Sequence, residues 1–171
     1  MMKNSLIKYR IKILDVHDLE EFKAIRLEAL HKVPQMFGSS YEVESKKPSA
    51  YFQTCLTHST VFAAYVESEI VGIVTLTKES VAKLKHKAHL ASLYVKPQFQ
   101  NKGIANQLLL AVIQFCLDDP DIEQILLSVE KNNDSAIHLY SKFGFDVYGI
   151  EKQALKDDLV YSDELLMKRF I

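Results

Sequence analysis

Tyr9, Ile11 and Ile13, preceded by Ile7, alternate with Lys8, Arg10 and Lys12, and that period of two predicts a first strand with one face in water. The period then lengthens. From Asp18, a suitable N-cap, the side chains of Leu19, Phe22, Ile25, Leu27 and Leu30 recur at helical spacing. Pro34 forbids continuation, so this helix should end near Lys32. Residues 34–47 are polar and irregular, after which Pro48 can open a second, short helix through Thr57 carrying Tyr51, Phe52 and Leu56. Residues 61–66 and 70–77 are β-branched runs separated by Glu67-Ser68-Glu69, a connection short enough to predict an antiparallel hairpin.

A basic stretch, Lys83, Lys85, His86 and Lys87, leads into a fourth strand over 89–95 that halts at Pro97. Residues 103–117 are apolar almost all round, the pattern of a buried helix, and Asp118-Asp119-Pro120-Asp121 stops it. A fifth strand follows over 125–129, then a helix over 134–142 ending at Gly144, where glycine suits the C-terminal cap. Residues 145–148 and 164–168 supply two last strands. The order βααβββαβαββ predicts an α/β (α+β) fold with about seven strands and about four helices. With 171 residues, 48% of them hydrophobic, the chain can bury a full core and is read as one domain over 1–171.

Composition narrows the partners. The formal net charge is -1 with acids and bases interspersed, so no global field draws the chain to nucleic acid or to an anionic membrane. Lys8, Arg10 and Lys12 interrupt the first apolar stretch, leaving no signal-peptide core, and the apolar run at 104–117 is shorter than the roughly 20 residues that span a bilayer. The expectation is a soluble, cytoplasmic protein. Cys55 and Cys116 form no CxxC pair and sit among apolar residues, which suits reduced core thiols and predicts neither a disulfide framework nor a metal site.

The first candidate for chemistry is Val95-Lys96-Pro97-Gln98-Phe99-Gln100-Asn101-Lys102-Gly103-Ile104-Ala105. A strand ends, a polar turn with a glycine follows and a helix begins, whose first backbone N–H groups lack intrahelical partners. Those donors, with the positive end of the dipole, suit a pyrophosphate. Gly103 lets an anion approach the backbone and Ala105 keeps the next contact small. An ordinary strand-to-helix turn would read the same way. The spacing fits neither the nucleotide P-loop nor the dinucleotide fingerprint.

The second candidate is Asn133-Asp134-Ser135-Ala136-Ile137-His138-Leu139-Tyr140-Ser141-Lys142-Phe143-Gly144-Phe145. At 3.6 residues per turn, Asn133 and Tyr140 share one helix face with Ala136 or Ile137, so an amide and a phenol align. Asn133 can equally be an N-cap and Tyr140 a half-buried core aromatic.

Together the two segments resemble the GNAT superfamily of acyl-CoA-dependent N-acyltransferases. The family's glycine loop has the form Arg/Gln-x-x-Gly-x-Gly/Ala, here Gln100-Asn101-Lys102-Gly103-Ile104-Ala105; its later helix commonly reads NxxAxxLYxKxGF, matched at Asn133, Ala136, Leu139, Tyr140, Lys142, Gly144 and Phe145. The resemblance implies a single GNAT-like domain with a mixed, mostly antiparallel sheet. It implies acetyl-CoA as acyl donor and an amine as acceptor, with no metal. In that fold the fourth and fifth strands separate to admit the pantetheine arm. By resemblance, Leu93, Tyr94 and Val95 would meet the arm, with main-chain groups of Leu93 and Val95 pairing with its amides. Gln100 and Asn101 lie in the glycine loop, while backbone groups of Lys102, Gly103, Ile104, Ala105 and Asn106 would hold the pyrophosphate. Asn133 would hydrogen-bond the arm, and Tyr140 would stand near the thioester sulfur as the proton donor.

The amine would attack the thioester directly, and it needs a base to take its proton. Where many relatives carry a glutamate, the fourth strand offers His89 and the fifth offers Ser128, with Glu130 just beyond; His89 is taken as the candidate because imidazole accepts a proton near neutral pH. Arg26, Glu28, Tyr41, Glu42 and Glu44 are candidate acceptor contacts, and residues 83–87 a candidate contact for the adenosine phosphate. The competing reading is a non-catalytic CoA-binding regulatory module. A homodimer stays open.

Overall fold

The computed structural model describes residues 8–171; Ile7, expected in the opening strand, lies outside them. The strands are β1 (Tyr9–Ile13), β2 (Thr60–Val66), β3 (Glu69–Lys78), β4 (Lys87–Val95), β5 (Gln124–Glu130), β6 (Asp146–Asp157) and β7 (Val160–Phe170). The helices are α1 (Leu19–Lys32), α2 (Tyr41–Glu44), α3 (Ser49–His58), α4 (Ile104–Leu117) and α5 (Asp134–Lys142). All strands join one sheet in the order β1-β2-β3-β4-β5-β7-β6. Only the β4–β5 contact is parallel; the other neighbours run antiparallel.

Two cores sandwich the sheet. Val61, Ala63, Tyr65 and Ile73 pack with Phe22, Ile25 and Ala29 of α1 and Phe52 of α3. The alternate positions Phe62, Ala64 and Val74 pack with Leu108, Leu109 and Val112 of α4 and with Tyr140 of α5. Strands covered on both faces bury both sets of side chains, which is why 61–66 reads as an unbroken apolar run. The α4 helix is buried on one side rather than all round: Leu110 is 48% and Leu117 55% exposed.

The structure departs from expectation in three places. Asp18 is the N-cap of α1, yet its carboxylate makes no cap bond; it binds Lys12 Nζ at 2.6 and 2.8 Å instead. Residues 34–47 contain a 3₁₀ turn at Pro34–Met36 and the four-residue α2, capped by Ser40, elements too short to show a helical period. Finally, β6 and β7 run longer than the apolar positions indicate. Most of β6 is exposed, so its ladder with β7 rather than buried side chains defines its length.

Candidate active-site cleft

Pairing between β4 and β5 is limited to Lys87↔Gln124, Ala88↔Ile125 and His89↔Leu126. Beyond His89 the strands part. On the other edge of β4, Ile73 pairs with Tyr94 and Thr75 with Ala91, so Ser92 and Leu93 together face Val74. Ser92 holds a left-handed backbone, φ 57. Two residues against one is a β-bulge, which bends the strand and increases its twist.

The gap opens into a cleft of about 680 Å³. Ser92, Leu93, Tyr94 and Val95 line it from β4, and Val129 and Glu130 from β5. Asn101, Gly103, Ile104, Ala105 and Asn106 form its end at the start of α4; Gln100 also borders it. Asn133, Ala136 and Tyr140 come from α5, and Val33, Met36 and Phe37 from the segment after α1.

The start of α4 carries no side-chain cap, because Gly103 is the N-cap at φ 82. The first bond into the helix runs from Gln107 N–H to the Gly103 carbonyl at 3.2 Å, so the preceding N–H groups of Ile104, Ala105 and Asn106 remain as donors at the positive end of the dipole. A Cβ at Gly103 would meet open space; the backbone angle, not packing, demands glycine there. Gln100 Nε2 donates to the Val95 carbonyl at 3.0 Å, tying the loop to the end of β4. Lys102 points elsewhere: it is exposed, and its Nζ donates to the Gln98 carbonyl at 2.8 Å.

On α5, Asn133 Oδ1 accepts from Ala136 N–H at 3.2 Å, so Asn133 is an N-cap and a cleft residue at once. Two turns on, Tyr140 is 7% exposed and packs edge-to-face against Phe145, ring centroids 5.8 Å apart. A Schellman motif fixes that contact: Phe145 N–H donates to the Tyr140 carbonyl at 3.1 Å and Gly144 N–H to that of Ser141 at 3.0 Å, with Gly144 at φ 78. Burial alone raises the phenol pKa above its ordinary value, so the hydroxyl is a neutral donor throughout the physiological range.

Other candidates are placed elsewhere. His89 lies outside the cleft lining, exposed, where β4 is still paired on both edges; its Nε2 sits 2.9 Å from Glu79 Oε1. Residues 83–86 precede β4 and Lys87 opens it, so the basic stretch occupies the end of that strand opposite the α4 loop. Glu28 accepts from Tyr94 Oη at 2.9 Å and meets Lys96 at 3.3 Å, so Tyr94 offers the cleft its backbone while its ring joins the α1 core. Arg26 and Glu44 are paired with each other rather than free for an acceptor. Tyr41 stacks on His31 at 5.1 Å. Sequence reasoning missed Ser92, because a bulge depends on the partner strand's register, and Phe37, which sits in a segment without periodicity.

Among the described residues there is no cluster of three or more His, Cys, Asp or Glu that could hold a metal ion, and no helix is long and apolar enough to cross a membrane.

Comparison with known proteins agrees with this geometry. The chain is 23% identical over 154 residues to the L-amino acid N-acetyltransferase AaaT of Escherichia coli, covering 89% of this chain and 93% of that protein. A GNAT-family acetyltransferase structure from Streptococcus pneumoniae superimposes with a TM-score of 0.86 at 20% identity, covering 96% of this chain and all of the other, 100%. The putative acetyltransferase yncA of Salmonella typhimurium, solved with acetyl-CoA, gives a TM-score of 0.78 at 18% identity over 95% of this chain and 94% of its own. Residues 27–145 match the acetyltransferase (GNAT) family, and with the open strand pair, the uncapped α4 and the buried tyrosine in one cleft, the chain belongs to that family.

Proposed function

We propose that this acetyl-CoA-dependent N-acetyltransferase carries its acyl donor along the β4–β5 gap and transfers the acetyl group directly to a primary amine. The diphosphate would rest on the N–H groups of Ile104, Ala105 and Asn106, with Gly103 and Asn101 shaping the loop. The pantetheine arm would pair with main-chain groups of Leu93 and with the Val95 N–H, the Val95 carbonyl being held by Gln100. Asn133 Oδ1 is engaged in capping, which leaves its Nδ2 for the arm. One observation carries the reading: an uncapped helix start, an unpaired strand edge and a buried phenol line a single cleft.

The amine attacks the thioester carbonyl, charge grows on the oxygen and the thiolate departs. A backbone N–H aimed at that oxygen contributes about 10²–10³ in rate, and a proton donor at the sulfur about 10²–10⁴. Tyr140 is the donor this reading assigns. The attacking nitrogen loses its proton to water or to Glu130, the only carboxylate among the described residues lining the cleft. Both Glu130 oxygens accept from Asn132, at 2.9 and 3.0 Å. His89 starts about 13 Å back along the strand from Leu93 and receives no step. The acceptor approaches past Val33, Met36 and Phe37, and the reaction takes place in the cytoplasm.

Thiol release from acetyl-CoA across an amine panel tests this reading, with free L-amino acids first because of the Escherichia coli relative, then peptide N-termini and polyamines. Amine-dependent release supports transfer. Tight acetyl-CoA binding without release on any amine would leave the non-catalytic module in its place.

A further inference from the structure

Arg26 of α1 uses its guanidinium on three sides. Nε and Nη2 donate to the two oxygens of Glu44 at 3.0 and 2.7 Å, and Nη1 donates to Ser92 Oγ at 2.7 Å. The group also lies over the Phe37 ring, 5.2 Å from its centroid. Glu44 is 2% exposed. Burial opposes its ionisation, but hydrogen bonds from Arg26 and Ser39 and the charge of Arg26 outweigh it and hold its pKa below the ordinary value. A buried ion pair is a poor stabiliser, since desolvation offsets most of the attraction. A geometric role accounts for it better. The third bond reaches the one β4 residue with a left-handed backbone, at the bulge against β3 that lies three residues beyond the last β4–β5 pair. Such a backbone persists only where its surroundings over-determine it.

We propose that Arg26, oriented by Glu44, is a positioning residue for acetyl transfer: it holds Ser92 in the β4 bulge and so fixes how the main chain of residues 93–95 faces the cleft. This inference rests on the reading that the cleft binds acetyl-CoA. Arg26 acts through Ser92, and the diphosphate contacts at α4 lie apart from this network. Loosening the bulge therefore weakens alignment in the chemical step far more than it weakens cofactor binding, most of which stays with the untouched diphosphate contacts. The same guanidinium backs Phe37, so both walls of the acceptor side depend on one group.

The test compares Ser92→Ala, Arg26→Lys and the double variant. Three readouts are taken: thiol release with the best amine of the panel, thermal denaturation, and amide hydrogen exchange of residues 91–95. Lysine keeps the charge opposite Glu44 but lacks the fork that reaches two partners. Each single change should lower kcat roughly tenfold to a hundredfold, with KM for acetyl-CoA within about twofold. The double variant should be no worse than the poorer single, and exchange at 91–95 should accelerate while α4 stays protected. Wild-type kcat and wild-type exchange in Ser92→Ala would overturn the proposal. So would an Arg26→Lys defect that follows its loss of thermal stability while Ser92→Ala is silent. Should the wild type release no thiol with any amine, the transferase reading fails by itself, and amide exchange still decides whether Arg26 holds the bulge.

Discussion

The two ends of β4 differ more in what their backbones do than in what their side chains are. At the first end, Ala88 and His89 are paired with β3 on one edge and β5 on the other, so every main-chain group serves the sheet. At the second end, Tyr94 and Val95 are paired with β3 alone, and the opposite edge faces the cleft. His89 has the reactive side chain, yet it sits where the backbone is consumed. Leu93 and Val95 have inert side chains and sit beyond the last β5 pair, where only the Val95 carbonyl is taken, by Gln100. Binding capacity on this strand therefore comes from the end of its pairing with β5 after His89, and titratable residues are a poor guide to it.

Four experiments can break or sharpen that contrast. The largest effect belongs to Tyr140, which lines the open end. Tyr140→Phe should lower kcat by about 10²–10⁴ while calorimetry finds acetyl-CoA affinity unchanged; normal turnover would remove the phenol from the chemistry. Gly103→Val forces a β-branched residue to a left-handed angle at the N-cap of α4, so the loop must shift. Acetyl-CoA should bind roughly tenfold to a hundredfold more weakly, in line with about 1–3 kcal/mol of strain, and unchanged binding would move the diphosphate away from α4.

Glu44→Gln leaves the Arg26 charge buried without its counter-ion and should cost about 3 kcal/mol, read as a fall in Tm of roughly 6–12 °C. The sign with pH follows from the lowered carboxyl pKa. Its contribution is present above the unfolded value, about 4.5, and is lost as pH falls through the lower folded value. The wild type should thus lose stability in acid more steeply than the variant, and parallel acid profiles would deny Glu44 this part. The smallest effect is expected at the closed end, where His89→Ala should leave kcat and KM within about twofold across the pH range. A tenfold loss in kcat would restore the imidazole as the base and erase the difference between the two ends.

What the sequence disclosed follows from how local each signal is. The β2–β3 hairpin, the glycine loop at 100–105 and the Asn133-to-Tyr140 face are each encoded by one contiguous stretch, and those stretches form the elements expected. Ser92 was invisible because its bulge exists only relative to the register of β3. Glu44 reads from sequence as a candidate acceptor contact, since its partner Arg26 is 18 positions away and nothing in either neighbourhood announces the pairing. Helix α2 escaped because four residues cannot display a 3.6-residue period, and the true length of β6 escaped because an exposed edge strand carries no apolar alternation. His89 was favoured on side-chain chemistry, a criterion blind to the strand geometry around it.

Three cross-strand positions are all that couple β4 to β5, so the sheet resembles two stiff plates joined along a short seam. A molecule hydrogen-bonded to both plates across the opening acts as a strut. Its binding then adds to the free energy needed to unfold them, about 2.7 kcal/mol when present at a hundredfold over its dissociation constant. The enzyme should accordingly be a looser body between turnovers than during them, with the slackness concentrated along that seam.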